Sequence, residues 1–508
     1  MLKRLIYLVS IILLLSCPLN GQQFVDVKAE LQGISEGSAR WIDSDRDGDL
    51  DVLLMGERFK GQTRGISTHI YRNLRNDKFA RYAPGIPDLH RGDFDVADFN
   101  LDGIEDIAVM GEKPDGTLIA TIYRGIGNGQ YQPTSIPFTP ARDGSIRFGD
   151  FDGDGDQDIL IAGEAKSGLI TQIYRNDRNN TFVLIDAGLR GIKRGIAIWY
   201  DYNLDGYPDV FVTGADQRGS PFSMLYENTN SSFVALNTGI VPLKHSFAAT
   251  GDFDNDGDLD ILVIGESTNN SITTRLYRNN RSQGFSRIVV PFVSVRSGFA
   301  DWGDFDGDGD VDLLISGESA KGPVSKIYKN NRLSGFSELN ENVTGLYMST
   351  GQWGDYDQDG DLDILIAGLT YDFQYHTKVY RNDLPLVATT IAGKEEVYED
   401  IFNNSVVVPE RAGPTYYYLY SSSYTKLEGA KEKAYYLFIS PVKKPRKQFE
   451  MEDVYNQMIR KKYPEWSQID QGNIVAIGKP SMAEGVSSRQ RIIDEYSGKS
   501  FKVIEINW

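Results

Sequence analysis

Oxygen-bearing side chains recur at alternate positions of a nine-residue segment that the chain repeats seven times between Asp43 and Asp363. Positions 1, 5 and 9 are Asp in every copy, position 3 is Asp or Asn, and position 6 is always Gly. Calcium takes about six to eight oxygen ligands in flexible geometry, and glycine permits the sharp bend that brings them together. The spacing therefore predicts a calcium site in each copy, in which side chains at positions 1, 3, 5 and 9 and the backbone carbonyl of position 7 are the ligands.

We name these segments metal loops 1 to 7, and up to seven calcium ions are predicted. The candidate ligand residues are, loop by loop, Asp43, Asp45, Asp47, Asp49 and Asp51; Asp98, Asn100, Asp102, Ile104 and Asp106; Asp150, Asp152, Asp154, Asp156 and Asp158; Asp201, Asn203, Asp205, Tyr207 and Asp209; Asp252, Asp254, Asp256, Asp258 and Asp260; Asp304, Asp306, Asp308, Asp310 and Asp312; Asp355, Asp357, Asp359, Asp361 and Asp363. Loops 2 and 4 have Asn at position 3 and no acid at position 7, which predicts weaker occupancy. Acidic turns without metal are the alternative, but unneutralised carboxylates so close together would repel one another.

The elements that position these loops repeat with the same period. Successive loops begin 51 to 55 residues apart, a spacing typical of one supersecondary unit per repeat. Residues 146–189 read as four short strands joined by Gly-, Asn- and Asp-rich turns, with no helical periodicity. Four strands used seven times predict a mainly β protein, a seven-bladed β-propeller.

Aromatic residues recur with the same period. A Tyr stands in the third predicted strand of every repeat, and four of the six Trp stand two residues before a metal loop. Packing between blades is the first interpretation, and platforms for sugar rings are the alternative.

The seventh repeat lacks its fourth strand. The N-terminal sequence from Phe24 to Ile34 matches the segment from Phe182 to Ile192, which holds a fourth strand in repeat 3. We therefore expect the N-terminal segment to pair with blade 7 and close the ring, which removes exposed sheet edges. The alternative is that residues 384–391 complete blade 7.

The N-terminus predicts export. Residues 1–21 combine a basic start with an apolar run too short to span a bilayer, the pattern of a signal peptide. Either cleavage follows Gly21, or a lipobox-like sequence leaves Cys17, the single cysteine, as a lipid anchor. A net charge of −18 argues against nucleic acid as a partner, and seven calcium ions would reduce that charge to −4. A secreted or cell-surface bacterial protein, attached to a membrane only through such an anchor, is expected.

The loop pattern, followed each time by an apolar strand, resembles the FG-GAP (VCBS-type) repeat of integrin α-subunit propellers and of many secreted bacterial proteins. The resemblance covers residues 24 to about 383 and implies the propeller fold and calcium at the loop positions. One departure is that the strand after the loop ends in Gly-Glu rather than Gly-Ala-Pro, as at Gly163-Glu164. Adhesion is therefore an analogy at the level of the family.

Basic residues stand seven or eight residues before five of the loops, where the chain enters each blade on the opposite face. They are Arg91, Arg142, Lys193, Arg194, Lys244 and Arg296. One interpretation is a ring that binds an anionic ligand such as an acidic glycan. The alternative is that these cations pair with the glutamates of the Gly-Glu motifs.

The chain is predicted to contain a propeller at residues 22–392 and a small α+β domain of no recognised family at residues 393–508. We expect a binding or adhesion module for an extracellular glycan or protein, possessing no enzymatic activity and no catalytic residues. A secreted polysaccharide- or lipid-degrading enzyme and a cell-envelope scaffold are the alternatives. No nucleophile motif is visible among the residues.

Overall fold

The computed structural model describes residues 24–60, 63–178, 181–230 and 232–383, together with four strands between Tyr416 and Glu505. The chain divides into two compact units, residues 1–392 and 393–508. In the described part of the first unit, 28 strands form seven four-stranded antiparallel sheets. The predicted seven-bladed β-propeller is therefore confirmed.

Each blade uses strands that are consecutive in sequence, except at the closure of the ring. Blade 1 contains β2 (Ser35–Ile42), β3 (Asp51–Lys60), β4 (Thr63–Asn73) and β5 (Phe79–Tyr82). Blade 2 contains β6 (His90–Ala97), β7 (Asp106–Glu112), β8 (Leu118–Gly125) and β9 (Tyr131–Pro133). Blade 3 contains β10 (Ala141–Gly149), β11 (Asp158–Ala165), β12 (Gly168–Asn176) and β13 (Phe182–Ile185). Blade 4 contains β14 (Lys193–Tyr200), β15 (Asp209–Ala215), β16 (Pro221–Asn228) and β17 (Phe233–Leu236). Blade 5 contains β18 (Lys244–Gly251), β19 (Asp260–Glu266), β20 (Ile272–Asn279) and β21 (Phe285–Ile288). Blade 6 contains β22 (Arg296–Gly303), β23 (Asp312–Ser319), β24 (Gly322–Asn330) and β25 (Phe336–Glu338). Blade 7 contains β26 (Tyr347–Gly354), β27 (Asp363–Leu369), β28 (Tyr375–Asn382) and the N-terminal β1 (Phe24–Asp26).

The ring closes through the N-terminal strand, as predicted. In the register of β1 and β28, Phe24 lies opposite Asn382 and Asp26 lies opposite Tyr380. Phe24 is fully buried, and its ring centroid lies 5.7 Å from that of Phe305 and 5.8 Å from that of Trp353. The alternative closure by residues 384–391 lies outside the described residues.

The repeated aromatic residues pack blade against blade. Three of the tryptophans that stand two residues before a metal loop stack on the ring at position 2 of the preceding loop. Examples are Trp41 on Tyr356, with centroids 5.7 Å apart and planes 5° apart, and Trp353 on Phe305, at 5.8 Å and 15°. Six of the third-strand tyrosines accept a backbone N–H group through their hydroxyl oxygens, as Tyr328 does from Val293 at 2.9 Å. These rings are therefore used for packing.

The second unit is described only by four strands. They are β29 (Tyr416–Ser422), β30 (Tyr436–Ile439), β31 (Val475–Lys479) and β32 (Lys502–Glu505), in the sheet order β31-β29-β30-β32. The rest of the predicted α+β domain, its helical part included, lies outside the described residues. Across the described residues, no helix is long and apolar enough to cross a membrane.

Candidate metal centres and central basin

Every metal loop connects the first strand of a blade to its second strand, so all seven lie on one face of the propeller, which we name the metal-loop face. Loop 6 shows how the backbone folds each of them. Asp304 accepts the N–H groups of Asp308 at 3.1 Å and Gly309 at 2.9 Å, and Asp308 accepts that of Asp310 at 3.1 Å. These bonds help to turn the carboxylates at positions 1, 3 and 5 toward a common centre.

The converging oxygens have the spacing that calcium needs. In loops 1 and 6 the groups at positions 1, 3 and 5 place one oxygen each within 4.8 Å of the others, and in loops 3 and 5 those at positions 1, 3 and 9 do so. Calcium–oxygen bonds of about 2.3–2.6 Å put opposite ligands about 5 Å apart. These loops could therefore hold a metal ion in this conformation.

Unpartnered oxygens give an independent test of the fit. The Oδ1 atom at position 3 is buried and has no hydrogen-bond partner in four loops. The residues are Asp45, Asp152, Asp254 and Asp306. A buried carboxylate oxygen with no partner is costly, and a bound cation removes that cost. The donor set and these oxygens fit calcium, which would neutralise the carboxylates and cross-link the two strands that flank each loop.

The position-9 Asp also anchors the loop. In loop 6, Asp312 is fully buried, and its oxygens accept the N–H groups of Phe305 at 3.2 Å and of Asn330 in the third strand at 2.7 Å. Burial raises the pKa of this carboxyl to about 8, and it raises that of Asp363 in loop 7 to about 9. The same cause raises the pKa to about 7 in loops 2 to 5 and to about 6 in loop 1. A cation beside these groups would favour their charged form.

Loops 2 and 4 satisfy part of their charge internally. The Asn100 amide donates to the Oδ2 atom of Asp106 at 3.1 Å, and the Asn203 amide donates to Asp205 at 3.0 Å. An amide N–H occupies an oxygen that would otherwise face a cation. This supports the prediction of weaker occupancy in these two loops.

Six buried asparagines at the ends of the third strands join neighbouring blades, and this role was not predicted from the sequence. They are Asn73, Asn176, Asn228, Asn279, Asn330 and Asn382. Each amide donates to the carbonyl of the position-2 residue in the metal loop of the preceding blade, as Asn330 does to Phe253 at 2.7 Å and Asn228 does to Phe151 at 2.8 Å. The sequence carries a signal for these contacts, because Tyr-x-Asn recurs in the third strand of six repeats. In blade 2, Gly125 stands in place of the asparagine.

Four arginines pair with the acid at position 7. Two of the pairs are Arg332 with Asp310 at 2.5 Å and Arg75 with Asp49 at 2.7 Å. Blades 3 and 5 repeat them. Blades 2 and 4 lack both the acid and the arginine, since Gly127 and Asn230 stand where the arginine would be. In these four blades the position-7 side chain therefore holds the neighbouring turn, and the backbone carbonyl of that residue stays the predicted ligand.

On the face opposite the metal loops, the predicted basic residues stand in two rows and not in one ring. A β-bulge in each first strand separates the residues eight and seven before the loop into two rows. Arg142, Lys193, Lys244 and Arg296 stand in the outer row beside the second strand, whereas Arg91 and Arg194 stand in the inner row at the mouth of the central channel. Counting residues to the loop could not show this separation, because the bulge changes the register by one residue.

Five of the six cations are paired with carboxylates. Arg142 contacts Glu112, Lys193 lies 3.4 Å from Glu164, and Lys244 lies 3.0 Å from Glu266. Arg296 lies 3.0 Å from Glu318, and the Nε of Arg91 donates to Asp143 at 2.9 Å. Pairing with the Gly-Glu glutamates, the alternative interpretation, thus accounts for the outer row.

The inner row surrounds a concave basin. It contains one residue from each blade, all with φ between 46° and 54°: Glu36, Arg91, Asp143, Arg194, His245, Ser297 and Met348. The basin has a volume of about 760 Å³, whereas the channel beneath it holds about 220 Å³. In the channel, Arg40 pairs with Asp95 at 3.0 Å on one side, and Phe247 and Phe299 lie on the other. The basin is therefore the larger of the two spaces along the central axis.

The family follows from the repeated loop-to-loop unit. The FG-GAP-like repeat family matches five overlapping stretches, residues 98–161, 150–212, 201–263, 252–315 and 304–366, which together span more than half of the chain. The chain belongs to the FG-GAP-like repeat family. Each matched stretch begins at one metal loop and extends beyond the next, so the FG-GAP unit contains the metal loops described above.

Solved structures resemble this FG-GAP-like chain at low identity. The Vibrio cholerae biofilm matrix protein Bap1 is 12% identical, with 72% of this chain and 92% of Bap1 covered at a TM-score of 0.42. AofleA from Arthrobotrys oligospora is 11% identical, with 58% of this chain and 84% of AofleA covered at 0.35. A putative oxidoreductase (glucose dehydrogenase) from Thermus thermophilus is 13% identical, covering 71% and 99% at 0.35. Among curated proteins, no match was found.

Proposed function

We propose that this chain is an exported, calcium-stabilised binding module that takes an extracellular ligand in the basin opposite the metal-loop face. The observation that supports it most is the inner row. Its seven residues, none of which is glycine, have backbone dihedral angles in the left-handed region. This conformation costs free energy and is found at functional sites. Their identities differ in charge and size, whereas the metal loops repeat one pattern. A rigid scaffold that presents varied side chains around a concavity suits recognition.

Calcium supports this role by stiffening the scaffold. The metal loops join the first two strands of each blade, and the Asn contacts join six of the seven loop regions to the following blade. Apart from Cys17 the chain has no cysteine, so disulfides cannot perform this function. Extracellular calcium is abundant enough to fill sites of modest affinity. Export is therefore consistent with the metal loops as well as with residues 1–21.

The charged groups of the basin are arranged so that they can make hydrogen bonds to a ligand. Arg91 pairs with Asp143, and Arg296 pairs with Glu318. Burial and the nearby Arg194 lower the pKa of His245, which keeps the imidazole neutral. Paired charges and a neutral imidazole can donate and accept hydrogen bonds to a ligand.

An array of glycans and extracellular matrix proteins, probed in calcium and in chelator, tests the proposal. We expect at least one ligand to be captured in calcium. The double variant Arg194→Ala/His245→Ala should lose that capture, whereas Lys166→Ala, an exposed site on a peripheral hairpin, should retain it. Equal capture by the double variant, or capture of nothing, would contradict a ligand site in the basin. Release of reducing ends from any glycan on the array would instead favour an enzyme.

A further inference from the structure

The hairpin between the second and third strands of blade 7 differs from its counterparts. Blades 2, 4, 5 and 7 share one turn geometry, in which a backbone N–H donates to the carbonyl four residues later at 2.9–3.0 Å. The fourth residue of each turn is left-handed, and it is Gly116, Gly219, Asn270 and Phe373, respectively. Glycine and asparagine suit this conformation, whereas a bulky residue there is an outlier. Blade 7 alone among these four places an aromatic residue at this position.

Folding does not explain the aromatic residues of this turn. Phe373 has φ 59° and is 68% exposed, and Tyr371, two residues earlier, is 77% exposed. Phe373 therefore carries backbone strain without the gain from burial that would offset it. The turn is nevertheless ordered by hydrogen bonds, because Thr370 donates to Asp372 at 2.5 Å and Gln374 donates to the Asp372 carbonyl at 3.3 Å. A strained but ordered exposed residue indicates function.

These rings belong to the blade that contributes Met348 to the basin. The ring of Phe373 meets that of Tyr347 edge to face, with centroids 6.4 Å apart. Tyr347 is followed directly by Met348, which lines the basin. The ring of Tyr371 extends over the neighbouring hairpin of blade 6, where a side chain added at Gly322 would lie 3.3 Å from it. We name Tyr347, Tyr371 and Phe373 the blade-7 platform.

The chemistry of the platform and the basin together fits a neutral glycan. A sugar ring has an apolar face, which packs on an aromatic ring, and a rim of hydroxyl groups, which need hydrogen-bond donors and acceptors. The basin volume of about 760 Å³ suits an oligosaccharide segment. An anionic glycan is disfavoured, since Arg91 and Arg296 are already paired with carboxylates, which leaves Arg194 alone of the six predicted cations to balance its charges. A protein partner would need a patch of about 800 Å² on this chain, more than three rings supply.

We propose that the blade-7 platform and the basin form one binding site for a neutral polysaccharide, in which a sugar ring packs on Phe373 or Tyr371 and the polysaccharide chain continues into the basin. This proposal rests on the binding function proposed above and names the ligand class. Arg194, His245 and Ser297 are the basin residues placed to bind its hydroxyl groups.

The variant Phe373→Asn separates binding from stability, because it installs the residue that blade 5 has at the same place. We expect its melting temperature to equal or exceed that of the wild type, since the strain is relieved. Its affinity for a neutral polysaccharide should fall about tenfold, the size expected for loss of one stacked ring. Tyr371→Ser should weaken binding in the same direction. Val289→Ser, which removes a 93% exposed apolar residue outside the platform and basin, is the matched control and should change neither property.

Binding is measured by biolayer interferometry of the full chain in calcium against a β-glucan, a mannan and a chitin oligosaccharide, with alginate as the anionic probe. Binding of a neutral probe that Phe373→Asn weakens and Val289→Ser does not would support the proposal. Equal binding by Phe373→Asn, binding of alginate alone, or binding of no polysaccharide would overturn it. If the array described above captures a matrix protein but no polysaccharide, the glycan site is overturned and the proposed binding module stands. Capture of neither class of ligand overturns both proposals.

Discussion

Replacing Asn330 by alanine tests whether the asparagines at the ends of the third strands hold the blades together. Asn330 is 2% exposed, and its amide donates to the carbonyls of Phe253, in the preceding blade, at 2.7 Å and of Val311 at 3.2 Å. Its side-chain oxygen accepts the N–H of Arg332 at 3.1 Å. Each such bond contributes about 1 kcal/mol, so Asn330→Ala should lower the free energy of unfolding by about 3 kcal/mol.

The neighbouring Asn331 supplies the control. Its amide donates to Gly335 at 3.1 Å and to Ser337 at 2.9 Å, both exposed bonds within its own blade. Asn331→Ala should therefore cost about 1 kcal/mol or less, because water replaces these bonds. Urea unfolding in calcium, followed by tryptophan fluorescence, measures both variants. The bond from the backbone of residue 330 to Asp312 survives the substitution, so calcium content should not change. A loss in Asn330→Ala no larger than in Asn331→Ala would refute the role of these contacts between blades.

Two further predictions concern ring closure and pH. Phe24→Ala, which empties a fully buried site, should lower the free energy of unfolding in urea by about 3–5 kcal/mol. Lys28→Ala, the control at an exposed side chain, should leave it nearly unchanged. Similar losses in the two variants would contradict closure by the N-terminal strand. In the metal-free protein, burial raises the pKa of Asp363 from 3.8 to about 9. Ionisation of this carboxyl therefore opposes folding. The metal-free protein should therefore melt at a higher temperature near pH 5 than near pH 9, while the gain from added calcium should shrink as pH falls. Scanning calorimetry at several pH values checks this, and a metal-free melt that falls continuously from pH 9 to pH 5 would contradict it.

The period of the sequence was sufficient to predict the propeller, its closure and the position of the metal loops. The alternation of oxygen ligands is local, and the similarity between the segment at Phe24 and that at Phe182 identifies the missing strand directly. These features repeat, so each copy supports the interpretation of the others.

Features that depend on contacts between blades or on backbone geometry were not predicted. Asn330 and Phe253 are 77 residues apart, and only the fold brings them together. The bulge that separates Arg91 from Arg142 is a change of one residue in register, which a count to the next loop cannot detect. The left-handed Phe373 stands in a segment without glycine or asparagine, so the sequence carries no signal for a left-handed residue there.

Calcium content and melting temperature, measured together, test the central claim that the metal loops bind calcium and stabilise the propeller. We expect five tightly held ions in the full chain, one for each loop with Asp at position 3, and weaker binding in loops 2 and 4. Removal by chelator should lower the melting temperature, and Asp306→Asn should lose one ion. A chain that retains no calcium after gel filtration in calcium, and that melts at the same temperature in chelator, would contradict the claim.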